Sequence, residues 1–418
     1  MIRANTERVL RDLYMLREIG RYKSGVHRPT LSQEDMTTRR WLSEELAALG
    51  HNAHIDGIAN VIGLSPAPGR KLLCGSHLET QSRAGWLDGV LGVVYGLEAA
   101  RALVEAGRED IGVDVMAFAD EEGHFGEMLG SNSLVGKVSE EMINAARDRT
   151  SGLALREALS DAGLAQVARA TLQPERYIGM FEAHIEQGPS LEADGLSIGI
   201  VTSIVGSRQF HIKATGVQNH AGTTRMNIRK DAGTALMRIY HRIETQFPTV
   251  ARPRTVWTVG KIALDPGAPA IVPGAAEMLF QFRDTDLELL ERMNDLLKEI
   301  VAEENANGPC EVTLSMQGSS VPAAMAPAMQ TIIEAAAEAL VPGKHVRMPS
   351  GAGHDARTIS QQLPTAMMFI PSIGGISHHY SENTTDEDIC IGAQVFVEAV
   401  RRMLEEPTPN RDGVAHPQ

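Results

Sequence analysis

The sequence predicts an α/β protein interrupted by a smaller α+β insert, and three observations carry that reading. Strand-like and helix-like segments alternate through residues 71–119, as a parallel sheet requires. From about residue 207 the order becomes β-α-β-β-α-β, that of a ferredoxin-like unit. After residue 325 the α/β alternation returns. The expected division is therefore 1–206 with 325–418 as one domain and 207–324 as the insert. A chain of 418 residues has room for two or three domains at about 150 residues each.

The elements follow in order. Ser32 with acidic Glu34 and Asp35 opens a helix that runs to Gly50, with Trp41, Leu42, Leu46 and Leu49 on one face. Lys71–Ser76 is a short buried strand, Gly89–Ala106 a helix closed by Gly107, and Ile111–Ala119 a second strand. Residues 137–175 read as helical and polar, with no recognisable site. Ile178–His184 is a strand. In the insert, Phe210–Thr215, Val256–Ile262 and Met278–Arg283 read as strands, and Arg229–Phe247 as an amphipathic helix. Thr285-Asp286-Leu287-Glu288 reads as a capping box for a helix through Glu304. A helix near 327–340, a strand at Ala366–Ile370 and a helix near 391–405 complete the pattern. The Pro-rich tail after Glu406 is expected to lack regular structure.

Composition excludes several function classes. The formal net charge of −14 disfavours nucleic acid or an anionic membrane as partner, since both need a basic face. Cys74, Cys310 and Cys390 are widely spaced with no CxxC, so neither a disulfide framework nor a thiolate metal site is expected. A reducing, cytoplasmic setting fits this usage. The N-terminus has no uncharged apolar run, and nothing approaches the ~18 apolar residues of a membrane span.

Candidate metal ligands recur at strand ends. His77 closes the strand through Leu72–Ser76, and Asp88 follows in Trp86-Leu87-Asp88-Gly89. Glu121 and Glu122 come just after the next strand, and His184 ends the third. His378 and His379 lie in the Gly-rich loop after the last strand. The carboxyl ends of strands form the ligand crevice of open α/β sheets. Mixed imidazole and carboxylate donors suit Zn²⁺, Mn²⁺, Co²⁺ or Ni²⁺. Two such ions would share a carboxylate and a hydroxide. Taken singly, each residue also reads as an ordinary solvated or structural group. Gathering them at one edge without a cation would be costly.

These residues sit in a longer series of motifs: GSHLETQ (75–81), DGVLGV (88–93), DEEG (120–123), GSNSLVG (130–136), HIEQGPSLE (184–192), GIVTSIVG (199–206), HAGTT (220–224), PSGAGHDA (349–356) and GISHHYSE (375–382). With them the chain, from about Arg21 to Glu398, resembles the hydantoinase/carbamoylase branch of the M20 metallopeptidase clan. That branch contains N-carbamoyl-L-amino acid amidohydrolases, β-ureidopropionases and allantoate amidohydrolases. The resemblance implies a zinc-peptidase-like catalytic domain and an inserted lid domain through which two subunits dimerise.

It also implies roles. His77, Asp88 and His184 would bind one divalent ion; Asp88, Glu122 and His378 the other. Glu121 would be the general base. His220 would stabilise the oxyanion, reaching from the partner subunit. Gln187 and Arg283 would hold the substrate, Arg283 by a bidentate pair with its carboxylate. Gly353 would line the pocket wall, with His354 and Asp355 beside it. Read without the family, His220 is equally a surface histidine, and Arg283 with Asp284 and Asp286 a surface ion-pair cluster. The implied substrate is a small carboxylate-bearing amide, first an N-carbamoyl amino acid cleaved to the amino acid, ammonia and CO₂. Allantoate, another N-acyl amino acid or a dipeptide is the alternative. An inactive binding or dimerisation protein on the same scaffold is the reading from another class.

Four departures from the family pattern bear on specificity. Glu79 stands where Asp is usual, two places after the first metal histidine. Ala270 replaces the Asn that normally holds substrate before Val272-Pro273-Gly274. Arg225 replaces a Pro after HAGTT. The segment Gly123–Gly126 is short and lacks a usual Arg. The pocket is therefore expected to have shifted toward a different ureido or N-acyl acid.

Overall fold

The protein is described by a computed structural model covering residues 2–405. The tail after Glu406 lies outside the described residues. The chain divides into two compact units, one running up to Thr202 and again from Ala324, the other Ser203–Ala323.

The first unit is built on a nine-stranded mixed sheet. Its centre is parallel: Thr365–Ile370, Tyr177–Ile185, Lys71–His77 and Val113–Phe118 lie side by side in that order. Lys71–His77 and Val113–Phe118 are buried throughout, as expected of strands covered on both faces. The flanks are antiparallel. Ile198–Ile204 pairs with Thr365–Ile370, and Val61–Leu64 with Val113–Phe118, followed by Asn52–Ile55. A purely parallel sheet is thus corrected at both edges. Two of these strands, Val61–Leu64 and Asn52–Ile55, are only four residues long, so their periodicity is weak.

Helix Val90–Glu105 is buried along nearly its whole length. Gly92 lets it seat on the sheet, because a Cβ there would lie 2.3 Å from the Ala183 carbonyl oxygen. Gly89 has φ of 70°, and its Cβ would lie 2.4 Å from the His77 ring. Both positions require glycine, and the tight seating aims the preceding Asp88 at the sheet edge.

Several boundaries differ from expectation. The segment 137–175 is mostly irregular, with α-helices only at Glu140–Ala145 and Leu155–Asp161 and a short 3-10 helix starting at Pro174. Its Ile143, Leu155, Leu159 and Leu164 pack with Met36, Ile58 and Leu129, so few apolar groups anchor an extended path. The final helix begins at Asp386, and three acids fill its first turn, where they favour the positive end of the helix dipole. An N-terminal helix, Thr6–Glu18, is capped by Asn5, which accepts the Arg8 N–H.

The second unit has the β-α-β-β-α-β order. Its antiparallel sheet runs Val256–Asp265, Ala275–Asp284, Gly206–Thr215, Glu311–Ser320. Helices Ala232–Gln246 and Leu287–Asn307 bury Leu236, Ile239, Ile243, Met293, Leu297 and Ile300 against Phe210, Phe280 and Phe282. The second helix is capped by Asp286 rather than Thr285, its carboxylate accepting the Leu289 N–H. Among the described residues no helix is long and apolar enough to cross a membrane.

Candidate metal centre

The four parallel strands of the first unit end at one edge. His77 is the last residue of Lys71–His77, and His184 lies one residue before the end of Tyr177–Ile185. Glu121 and Glu122 occupy the turn after Val113–Phe118, and His378 the loop after Thr365–Ile370. Asp88 is delivered to the same edge by the turn into helix Val90–Glu105.

Asp88 is the hub. Its Oδ1 lies 2.9 Å from His184 Nε2 and 3.5 Å from His77 Nε2. Its Oδ2 lies 3.3 Å from His378 Nε2, which is 3.7 Å from Glu122 Oε2. Two three-residue donor groups result, His77/Asp88/His184 and Asp88/Glu122/His378, each with its atoms within 4.8 Å of one another. Glu121 Oε2 stands 3.8 Å from His77 Nε2 and belongs to neither group. His379 turns away, its ring on Tyr380 and its Nδ1 bonded to Ser381 Oγ at 2.7 Å.

The donor set fits a divalent cation. His77 Nδ1 faces the Glu79 carbonyl at 3.0 Å, and His184 Nδ1 the Ile185 carbonyl at 2.8 Å. Those contacts place the proton on Nδ1 and turn the Nε2 lone pair toward Asp88. A lone pair facing a buried carboxylate needs a cation or a proton between them. Without metal, protons fill that role. Burial opposes charging His77, but the bond to Asp88 and the charges of Glu121 and Glu79 hold its pKa well above the usual value. The Asp88 bond raises His378 to about 9. Burial favours neutral Asp88, yet bonds from His184, His378 and His77 hold its carboxyl well below the usual range. Burial pushes the Glu121 carboxyl well up; His77 opposes this, while Glu122, Asp355 and Asp88 add to it.

Supporting groups fix this geometry. Glu382 accepts the Leu87 and Asp88 N–H groups and the Ser377 hydroxyl. Gln81 donates from both its backbone and its side chain to the Glu122 carboxylate. Asp120, with φ of 58°, gathers the N–H groups of His124, Phe125 and Gly126, which makes the short 123–126 segment a tight turn. Gln187 donates to Asp88 Oδ2 at 3.0 Å and to Ser377 Oγ at 3.1 Å. The His354 ring packs edge-on against His184 at 4.7 Å, and its Nε2 contacts Ser350 Oγ. Gly353 lies beside Met128, whose Cε would sit 3.0 Å from an added Cβ. Glu382, Gln81 and Asp120 carry no assignable role in the sequence alone, although all three lie inside the motifs GISHHYSE, GSHLETQ and DEEG. Their sequence signal was only adjacency to ligands.

The other residues singled out in the sequence, His220, Ala270 and Arg283, belong to the second unit. His220 is exposed, and its Nδ1 accepts the N–H groups of Gly222 and Thr223 at 3.0 and 3.2 Å. That pattern leaves the proton on Nε2, at the outer edge of the ring. Ala270 sits beside it, its carbonyl accepting the Ala221 N–H, while His220 itself pairs with Ile271. Arg283 lies in strand Ala275–Asp284, opposite Ser207 and Val256, with Nη2 3.4 Å from Gln281 Oε1. Asp284 accepts the Thr255 hydroxyl and Asp286 the Arg252 guanidinium.

Fold and donor set together define a metal-dependent hydrolase. The chain belongs to peptidase family M20/M25/M40, which it matches over residues 73–402. It is 32% identical to the N-carbamoyl-L-amino-acid amidohydrolase of Pseudomonas sp. (strain NS671), over 94% of this chain and 97% of that one. It is 30% identical to the allantoate amidohydrolase of Bacillus subtilis (strain 168), over 91% and 93%. Among solved structures it superposes on an amidase of the hydantoinase/carbamoylase family from Burkholderia phymatum. The TM-score is 0.88 at 43% identity, covering 96% of this chain and 98% of that one. The chain is accordingly an amidohydrolase of the M20 family that depends on divalent metal.

Proposed function

We propose that this protein hydrolyses the ureido C–N bond of an N-carbamoyl amino acid, using two divalent cations that share Asp88. The observation that carries this reading is the single buried carboxylate common to both donor groups. His77 and His184 would hold one ion, and Glu122 and His378 the other. Bound there, the ions would supply a water ionised near neutral pH and polarise the substrate carbonyl. The relatives named above for N-carbamoyl-L-amino acids and allantoate support the substrate class.

Glu121 takes a proton from the attacking water and passes it to the leaving nitrogen. The water oxygen bonds to the ureido carbon, the C–N bond breaks and ammonia leaves. The remaining carbamate loses CO₂ to give the amino acid. His220 donates from Nε2 to the oxygen that gains negative charge, acting from the partner subunit of a homodimer. Gln187 orients the substrate beside Asp88. Arg283 pairs with the substrate carboxylate, and Gly353 keeps the pocket wall free of a side chain. The complete donor set disfavours an inactive binding protein.

Arg283→Ala is expected to raise KM for carboxylate substrates by ~10-fold or more, the loss of a charge-assisted bond of roughly 1.5–3 kcal/mol. Steady-state kinetics check it, and an unchanged KM excludes the clamp.

Ala270 favours a second reading. With no amide beside His220, one hydrogen bond of ~1–3 kcal/mol is missing, which would shift preference toward allantoate or another N-acyl or ureido acid. Ammonia release across N-carbamoyl amino acids, allantoate and related ureido acids, with amine release from N-acyl amino acids, decides between them. Highest kcat/KM on ordinary N-carbamoyl-L-amino acids supports the first reading and removes the second.

A further inference from the structure

Arg39 lies in helix Gln33–Ala48, far in sequence from every metal ligand, and its side chain is fully buried. Such a group is rare unless its charge and donors are matched. Here each of the three guanidinium nitrogens donates to a protein acceptor. Nε donates to Asp35, at 3.0 and 2.9 Å from its two oxygens. Nη1 donates to the carbonyls of Ala59 at 2.8 Å and Phe118 at 3.3 Å. Nη2 donates to Glu79 Oε2 at 2.5 Å.

Glu79 carries the arrangement into the site. Its other oxygen accepts the Glu121 N–H at 2.6 Å, and its carbonyl accepts the His77 Nδ1 proton at 3.0 Å. One guanidinium therefore grips the end of the strand that leads to Glu121 and Glu122. Through Glu79 it also grips the turn that begins at His77. A lysine could reach one of these partners but not hold the fork.

We propose that Arg39 is a positioning residue, acting through Glu79 to hold the metal ligand His77 and the base Glu121 in mutual register. The inference rests on the functional reading above for the role of Glu121, but its metal-binding part is independent of substrate. A longer Glu in place of Asp after His77 is accommodated because Arg39 anchors its far oxygen.

The test uses the full-length protein titrated with Co²⁺ alone, followed by the visible absorption of the bound ion, with thermal midpoints recorded alongside. The main variant combines Arg39→Met with Glu79→Gln, which removes one buried pair but leaves Asp35, the other carboxylate on Arg39, without its cation. Expected are a lowered midpoint, from the buried Asp35 left without its partner, and Co²⁺ binding weakened by ~10–100-fold. On whichever substrate wild type turns over, kcat falls while KM stays within about threefold. Wild-type Co²⁺ affinity in the folded double variant overturns the proposal, because a merely structural ion pair predicts that result. If the double variant does not fold, Arg39→Lys, which keeps the charge and loses the fork, is read by the same two criteria. A wild type that hydrolyses no amide sinks the functional reading, yet the Co²⁺ titration still decides the role of Arg39.

Discussion

Glu121→Gln is expected to lower kcat by ~10²-fold or more while fold and metal content stay at wild-type levels. The expectation follows from where Glu121 stands. It is outside both donor groups yet has a carboxylate oxygen 3.8 Å from His77 Nε2. Its backbone N–H is fixed by Glu79, so the amide variant inherits the same position. Stability has a definite sign in the metal-free protein. Burial raises the Glu121 carboxyl, so the folded state binds the proton more tightly than the unfolded chain does. The stability of that state therefore falls as pH rises past the ordinary carboxylate range, and a neutral amide removes the penalty. Kinetics with metal analysis on one preparation check both halves. Near-normal turnover takes Glu121 out of the base role. Lost metal makes it a ligand.

Asp88→Asn is expected to abolish activity by a different route, through loss of bound metal, with kcat reduced by ~10³-fold or more. A water that is not ionised by a cation has a pKa near 15.7 instead of roughly 7, so hydroxide at neutral pH becomes scarce. Both donor groups depend on this carboxylate, and an amide offers one weak oxygen where two charged ones faced three imidazoles. Elemental analysis of the purified variant should show both ions depleted together. Retention of one full equivalent would mean that the two groups do not share Asp88. The three histidines lose their charged partner in this variant, so their protonation is expected to become less favourable.

Much of the scaffold was legible because it is local. Short, largely apolar segments at Leu72–Ser76 and Val113–Ala119 read as buried strands, and the Ala235, Leu236, Ile239, Ile243 spacing reads as one helix face. Short or edge elements were not legible. Asn52–Ile55 alternates weakly, and 137–175 holds helix-favouring residues whose path is set by a few buried contacts. For the site, the strand-end positions of His77 and His184 were visible, whereas His378 was singled out from His379 only through the family resemblance. Arg39 carried no functional signal, since an Asp35/Arg39 pair one turn apart reads as an ordinary surface ion pair. Its burial arises only when the helix packs over the strand ends.

By itself, then, the sequence determined residue types and local order: which segments are strands, which side chains end them, and which glycines permit close approach. Those properties follow from backbone sterics and hydrophobic periodicity, which act over a few residues. Only the tertiary structure decided that Asp88 faces three imidazoles, that His77 and His184 turn Nε2 toward it, and that Arg39 spans two loops. Coordination and charge pairing depend on separations of a few Å between groups such as His77 and His378, and packing across the whole sheet sets those separations.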